Sequence, residues 1–132
     1  MVGGSDLSFK ALDGLLLVRF AGSYSRYDQC IDALQQIAER VRDASCAGFL
    51  IDTTEMTGMV LNVDRFRLML SFARMLPPRV AVAVLVTRER YIHDYLLETL
   101  LRRYNIEGAE FVDRDAAMDW LNRQREPAQK AV

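Results

Sequence analysis

Val80-Ala81-Val82-Ala83-Val84-Leu85-Val86 is the longest unbroken apolar run in the chain and its clearest central strand. It falls far short of the roughly 20 residues that a bilayer-spanning helix needs, so it predicts a buried strand. Pro77-Pro78 stands just before it and ends a helix, because a proline disfavours helical geometry in the residue preceding it. That helix is predicted over about Asn62 to Leu76. Further upstream, Gly48-Phe49-Leu50-Ile51-Asp52 has the short continuous form of a strand covered on both sheet faces. Thr53 to Gly58 then reads as a polar loop.

The ends of the chain complete the alternation. Leu12-Asp13-Gly14-Leu15 carries an Asp-Gly pair suited to a tight hairpin turn, predicting strands over Ser5 to Ala11 and Leu15 to Ala21, with Gly22 ending the second. Ser25 is a candidate N-cap for a helix with Tyr27, Ile31, Leu34, Ile37, Ala38 and Val41 at helical spacing. Thr87 is the candidate cap of a third helix over about Arg88 to Tyr104. Ala109 to Val112 gives a last strand, and Asp113 caps a fourth helix ending near Arg125. The order ββαβαβαβα predicts an α/β fold with a mixed, mostly parallel five-stranded sheet and four helices, one domain over 1–125 with a flexible tail over 126–132.

Composition agrees with a globular domain and removes several function classes. The 132 residues are 51% hydrophobic and 27% charged, and the formal net charge is −1, so no overall field draws the protein to nucleic acid or an anionic membrane. Cys30 and Cys46 are too far apart for a CxxC pair and read as free thiols. With one histidine, a transition-metal site lacks ligands, and no cofactor is expected. The N-terminus has neither a basic nor an apolar segment, which predicts a cytoplasmic protein.

In open α/β sheets ligands bind beyond the carboxyl ends of the parallel strands. Three segments are expected there: Asp52 to Gly58, with Asp52, Thr53, Thr54, Glu55 and Thr57; Thr87 to Arg90, with Thr87, Arg88 and Arg90; and Asp113 to Asp115, with Arg114. Their arginines could hold a phosphate or carboxylate, or serve as solvated charges around helix caps. Neither GxGxxG, GxxxxGK[ST] nor G-x-S-x-G occurs. His93 falls within the apolar stripe of the third helix, which suits a core or interface position. No enzyme's constellation is legible, and the expectation is a noncatalytic protein.

The second helix is more informative. Val63, Phe66, Met69, Leu70, Ala73 and Leu76 form a stripe that one packed face explains. At about 100° per residue, Leu68, Phe72 and Met75 cluster nearly opposite it and are predicted to face solvent, as an interaction surface, unless the same chain covers them.

Gly14-Leu-Leu-Leu-Val-Arg-Phe-Ala-Gly22, Leu50-Ile51-Asp52, Val80 to Val86 and the closing Phe111-Val112-Asp113-Arg114-Asp115-Ala116-Ala117-Met118-Asp119-Trp120-Leu121 resemble STAS domains. These have the fold of bacterial anti-sigma factor antagonists, and the stand-alone STAS-like branch, whose fold is related to the CRAL-TRIO lipid-binding domain, is the nearer likeness. The resemblance implies a module whose second helix, with the loop before it, meets a protein partner or a second copy, as a homo-oligomer. Its other implication is a small apolar ligand or lipid in a pocket under the second and third helices. Regulatory members carry a phosphoacceptor within Asp-Ser-x-Gly. This chain has no such motif: the corresponding position, about Val60-Leu61, has no hydroxyl, and Thr57-Gly58 is several residues early. The phosphoacceptor role passes to no residue here.

Overall fold

Alternation of side chains along three adjacent strands divides the interior into two apolar layers. The computed structural model describes residues 5–44, 46–58, 62–90 and 101–130. In chain order these form β1 (Ser5–Leu12), β2 (Leu15–Ser23), α1 (Tyr27–Ala44), β3 (Gly48–Gly58), α2 (Asn62–Met75), β4 (Ala81–Leu85), a 3-10 turn (Arg88–Arg90), β5 (Glu107–Phe111) and α3 (Arg114–Lys130). The sheet order is β1-β2-β3-β4-β5, antiparallel at β1–β2 and parallel elsewhere. The predicted α/β class and mixed sheet are therefore present, with three α-helices bounded within the described residues, and Leu101 and Arg102 of the predicted third helix are helical as well. Most of the predicted third helix, residues 91–100 with His93, lies outside them.

A strand turns successive side chains to opposite faces. Leu16, Val18 and Phe20 of β2, Phe49 and Ile51 of β3, and Val82 of β4 face the layer filled by α1 and α2. Leu15, Leu50, Ala81, Ala83 and Leu85 face the other layer, where Ala117 and Leu121 of α3 cover them. This explains the unbroken apolar runs of β3 and β4: both of their faces are covered. Small Ala81 and Ala83 beneath α3 let the helix approach closely. Gly48 continues that approach, since a Cβ there would lie 3.0 Å from the Ala81 carbonyl and 3.2 Å from Leu121.

Several boundaries differ from expectation for identifiable reasons. Asp13 and Gly14 form the hairpin turn at φ 49° and 81°, as their sequence predicts, while the strands extend to Leu12 and Ser23. The predicted Ser25 cap is not the start of α1, which begins two residues later. There the Arg26 N–H donates to Gln29 Oε1 at 3.4 Å and Gln29 Nε2 donates to the Ser23 carbonyl at 3.3 Å. The buried arc of α1 includes Cys30 and Ala33 with Ile37, Ala38 and Val41, leaving Tyr27, Ile31 and Leu34 at its margin. Thr87 does not act as a cap either: its Oγ1 is buried without a hydrogen-bond partner.

Asp113 does cap α3, accepting the Ala116 N–H at 2.9 Å. That helix continues to Lys130, beyond its predicted end near Arg125 and across Pro127. At the other helix junction, Pro77-Pro78 follows α2 as predicted, and Arg42 Nη1 of α1 donates to the Met75 carbonyl at 2.7 Å, satisfying an end group of α2.

Candidate functional site

The carboxyl edge of the sheet is shaped by an overhang. β4 ends with Leu85 opposite Asp52, whereas β3 continues to Gly58, paired with the end of β2 through Ala21–Glu55, Gly22–Met56 and Ser23–Gly58. The expected polar loop Thr53 to Gly58 is therefore strand. Its threonines are β-branched and compatible with extended backbone, and β2 alone supplies ladder partners, after a register shift between Arg19 and Ala21. Thr53 Oγ1 donates to the Leu85 carbonyl at 2.9 Å, tying the start of the overhang to the last residue of β4.

Asp52 is the best-organised polar group at this edge. Its Oδ1 accepts the Thr54 N–H at 2.9 Å and the Thr54 hydroxyl at 2.6 Å, while Oδ2 faces Arg114 Nη1 at 3.6 Å. Its side chain is 14% exposed, against 53% for Arg114 at the start of α3. One strand end is thereby joined to one helix start. Glu55 points elsewhere, pairing with Arg19 of β2. The structure thus gathers Asp52, Thr54 and Arg114, and directs Thr53 and Glu55 to structural partners. Thr57 and Arg88 are exposed, and neither joins this cluster; the side chain of Arg90 lies outside the described residues. Both Asp52 oxygens already have partners within the chain, so the cluster acts as a fastening of strand to helix. No three His, Cys, Asp or Glu side chains among the described residues gather as a metal site would require.

The second helix overturns the predicted interaction surface. Leu68 and Phe72 are 8% and 6% exposed and belong to the core between α2, α1 and the sheet, and half-buried Met75 packs against it. Phe72 meets Phe49 of β3 edge to face, with ring centroids 5.9 Å apart. The chain itself covers the three residues predicted to face solvent. Conversely, Phe66 of the supposedly packed stripe is 42% exposed, and Met69 and Leu70 are half-buried. Ala73 and Leu76 lie within the buried arc. The side chain of Val63 lies outside the described residues.

The physical reason is rotation. An α2 built with apolar residues around most of its circumference has two candidate inner faces, and Leu68, Phe72 and Leu76 supply the more continuous one. Beside Phe66, the outward side carries Arg67 and exposed Arg74. Arg67 stacks over the Tyr27 ring of α1 at 4.8 Å and lies 3.5 Å from Asp64. The ring contact joins the N-terminal half of α2 to α1, while the Asp64 pair lies within α2 and steadies the arginine. A second cation–ring pair, Arg40 over Phe9 at 4.4 Å, covers one side of β1. Sequence spacing within one helix could not reveal either pair, since each joins distant segments.

Three comparisons with known proteins bear on this arrangement. Neither a family model nor a curated protein matches the sequence. Among solved structures, an anti-sigma factor antagonist from Mycobacterium paratuberculosis superimposes with a TM-score of 0.65 at 15% identity, over 91% of this chain and 96% of that one.

This chain has a STAS-like fold.

A second structure, an uncharacterised protein of the DUF3478 family with a SpoIIAA-like fold from Shewanella loihica, aligns over 89% of this chain and 94% of that one, at 22% identity and a TM-score of 0.46. In the STAS-like domain described here, no helix among the described residues is long and apolar enough to cross a membrane. The expected apolar-ligand pocket under the second and third helices depends on residues 91–100 and lies outside the described residues.

Proposed function

We propose that this STAS-like domain is a noncatalytic regulatory module that binds a protein partner through the outward face of α2. The observation that carries the reading is Phe66: it remains 42% exposed at the margin of a helix whose Leu68, Phe72, Ala73 and Leu76 already fill the core. An aromatic ring exposed beyond that buried arc suits association. Arg67 and Arg74 border it, so the complementary partner presents an apolar anchor with acidic neighbours. Similarity to an anti-sigma factor antagonist supports a regulatory role. Two free cysteines suit a reducing compartment, which supports the cytoplasm as the place of action.

The test is Phe66→Glu, chosen because the core does not depend on that ring. The variant should retain wild-type circular dichroism and melting temperature. Sedimentation of pure protein asks whether the surface pairs with a second copy, and crosslinking in native extract, compared between wild type and variant, asks whether it holds an unlike protein. Loss of either association in Phe66→Glu supports the proposal. Identical sedimentation and identical crosslinked species in the two proteins overturn it.

A further inference from the structure

A separate cavity lies at the opposite edge of the sheet, where the chain leaves α2 for β4. Its volume is about 250 Å³, and it is lined by Val41 and Arg42 of α1, by Cys46, and by Pro77, Pro78, Arg79 and Val80. Val41 and Val80 are buried and provide an apolar floor; Pro77 and Pro78 give one wall little conformational freedom. Two guanidinium groups line it, and among the described residues no carboxylate does. Arg42 is held in place by its 2.7 Å hydrogen bond to the Met75 carbonyl, which uses one of five donors and leaves the others available.

Arg79 has a different significance. Its φ is 71°, a left-handed value that glycine or asparagine adopts more readily in a turn following proline. The backbone is fixed there by the Arg79 N–H donating to the Asn105 carbonyl at 2.7 Å, and Asn105 itself has φ 61°. The guanidinium has no ion pair or hydrogen bond among the described residues. A long cationic side chain thus occupies a position whose backbone favours glycine, beside a second cation and above an apolar floor. A backbone of this kind persists where its surroundings fix it, as the hydrogen bond to Asn105 does here.

The geometry points to a binding site for a small organic carboxylate, its anionic head between Arg42 and Arg79 and its apolar body on Val41, Val80 and Pro77. Guanidinium forks match carboxylates in charge and shape. The volume lies below the ~300–1,000 Å³ typical of drug-sized ligands, so the occupant is compact. Cys46 at the same cavity provides a native reporter of occupancy, since the other thiol, Cys30, is buried elsewhere. This site is independent of the α2 surface proposed above.

The experiment titrates the full chain by calorimetry with benzoate, with its neutral counterpart benzamide and with inorganic phosphate. Benzoate should saturate with a Kd of about 1 mM, and the other two should bind at least about tenfold more weakly. Benzoate should also slow alkylation of Cys46 by iodoacetamide, read by mass spectrometry. Arg79→Gly should weaken benzoate binding at least about tenfold while the melting temperature stays the same or rises, because glycine suits the positive φ. Arg79→Asn, which also tolerates that backbone, replaces it if the glycine variant melts early. Absence of benzoate saturation, equal binding of benzamide or phosphate, binding without protection of Cys46, or unaltered binding in the folded Arg79 variant would each overturn the inference.

Discussion

Replacing Phe72 by alanine should cost this domain about 3–5 kcal/mol, whereas the same change at Phe66 should cost about 1 kcal/mol or less. Phe72 is 6% exposed and meets Phe49 edge to face, so truncation removes nearly its full transfer free energy, opens a cavity between α2 and β3, and breaks a ring pair contributing about 0.5–1.5 kcal/mol. Phe66 is 42% exposed; truncation there leaves no enclosed cavity, and alanine recovers about 0.5 kcal/mol of helix propensity. Against a total stability of about 5–15 kcal/mol, the first change is severe and the second minor. Urea denaturation followed by circular dichroism measures both, and thermal melting should show a drop of about 10–20 °C for Phe72→Ala. Combining Phe72→Ala with Phe49→Ala should give less than the sum of the single losses, because the ring pair can be broken only once. Equal costs at Phe66 and Phe72 would refute the orientation of α2 and, with it, the proposed surface.

Three further perturbations probe other parts of the fold. Gly108→Ala should destabilise β5 by about 1–3 kcal/mol, because the new Cβ would enter the space of Leu101 Cδ1; in a double mutant with Leu101→Ala the costs should be less than additive, as denaturation curves would reveal. Asp113→Ala should cost about 1 kcal/mol by removing the acceptor for the Ala116 N–H, and Asp113→Asn should restore most of it. Burial, and secondarily the charge of Asp28, raise the Cys30 thiol above its ordinary value of 9.0. The folded state therefore binds more protons than the unfolded state above that value, so this group's stabilising contribution is intact at lower pH and is lost as pH rises through the folded-state value. Denaturation at pH 7 and at pH 10 should show a larger alkaline loss in wild type than in Cys30→Ala.

The strands were legible because their signals are local. Val80 to Val86 and Gly48 to Ile51 are apolar without interruption, and Asp13-Gly14 supplies the backbone that a tight turn requires. The overhang of β3 was not legible, since Thr53-Thr54-Glu55-Met56-Thr57 has the polarity of a loop and becomes strand only through pairing with the displaced end of β2. The Asp52–Arg114 ion pair was legible only in part: both residues were expected at the same sheet edge, but their pairing depends on how α3 lies across the sheet. Arg79 was missed because its unusual feature is a backbone angle, although an arginine directly after Pro-Pro is visible in the sequence.

The reversal of α2 has a more general cause, and it bears on function. A helix with one apolar stripe has its orientation determined by burial; a helix with two has it determined by which stripe fits the surface beneath. Here Phe49 and the α1 side chains accept Phe72 and Leu68, a fit that depends on residues remote in sequence. Periodicity can therefore detect that α2 has more apolar surface than one contact requires without identifying the excess. The excess survives the reversal, transferred from Leu68 and Phe72 to Phe66 and its half-buried neighbours. This makes the double apolarity of α2 a stronger reason to expect association than the particular residues first assigned to it. It also changes the useful experiment: altering Phe72 and Met75 would disturb the fold and confuse unfolding with lost association, whereas Phe66→Glu tests association while leaving the core contacts in place.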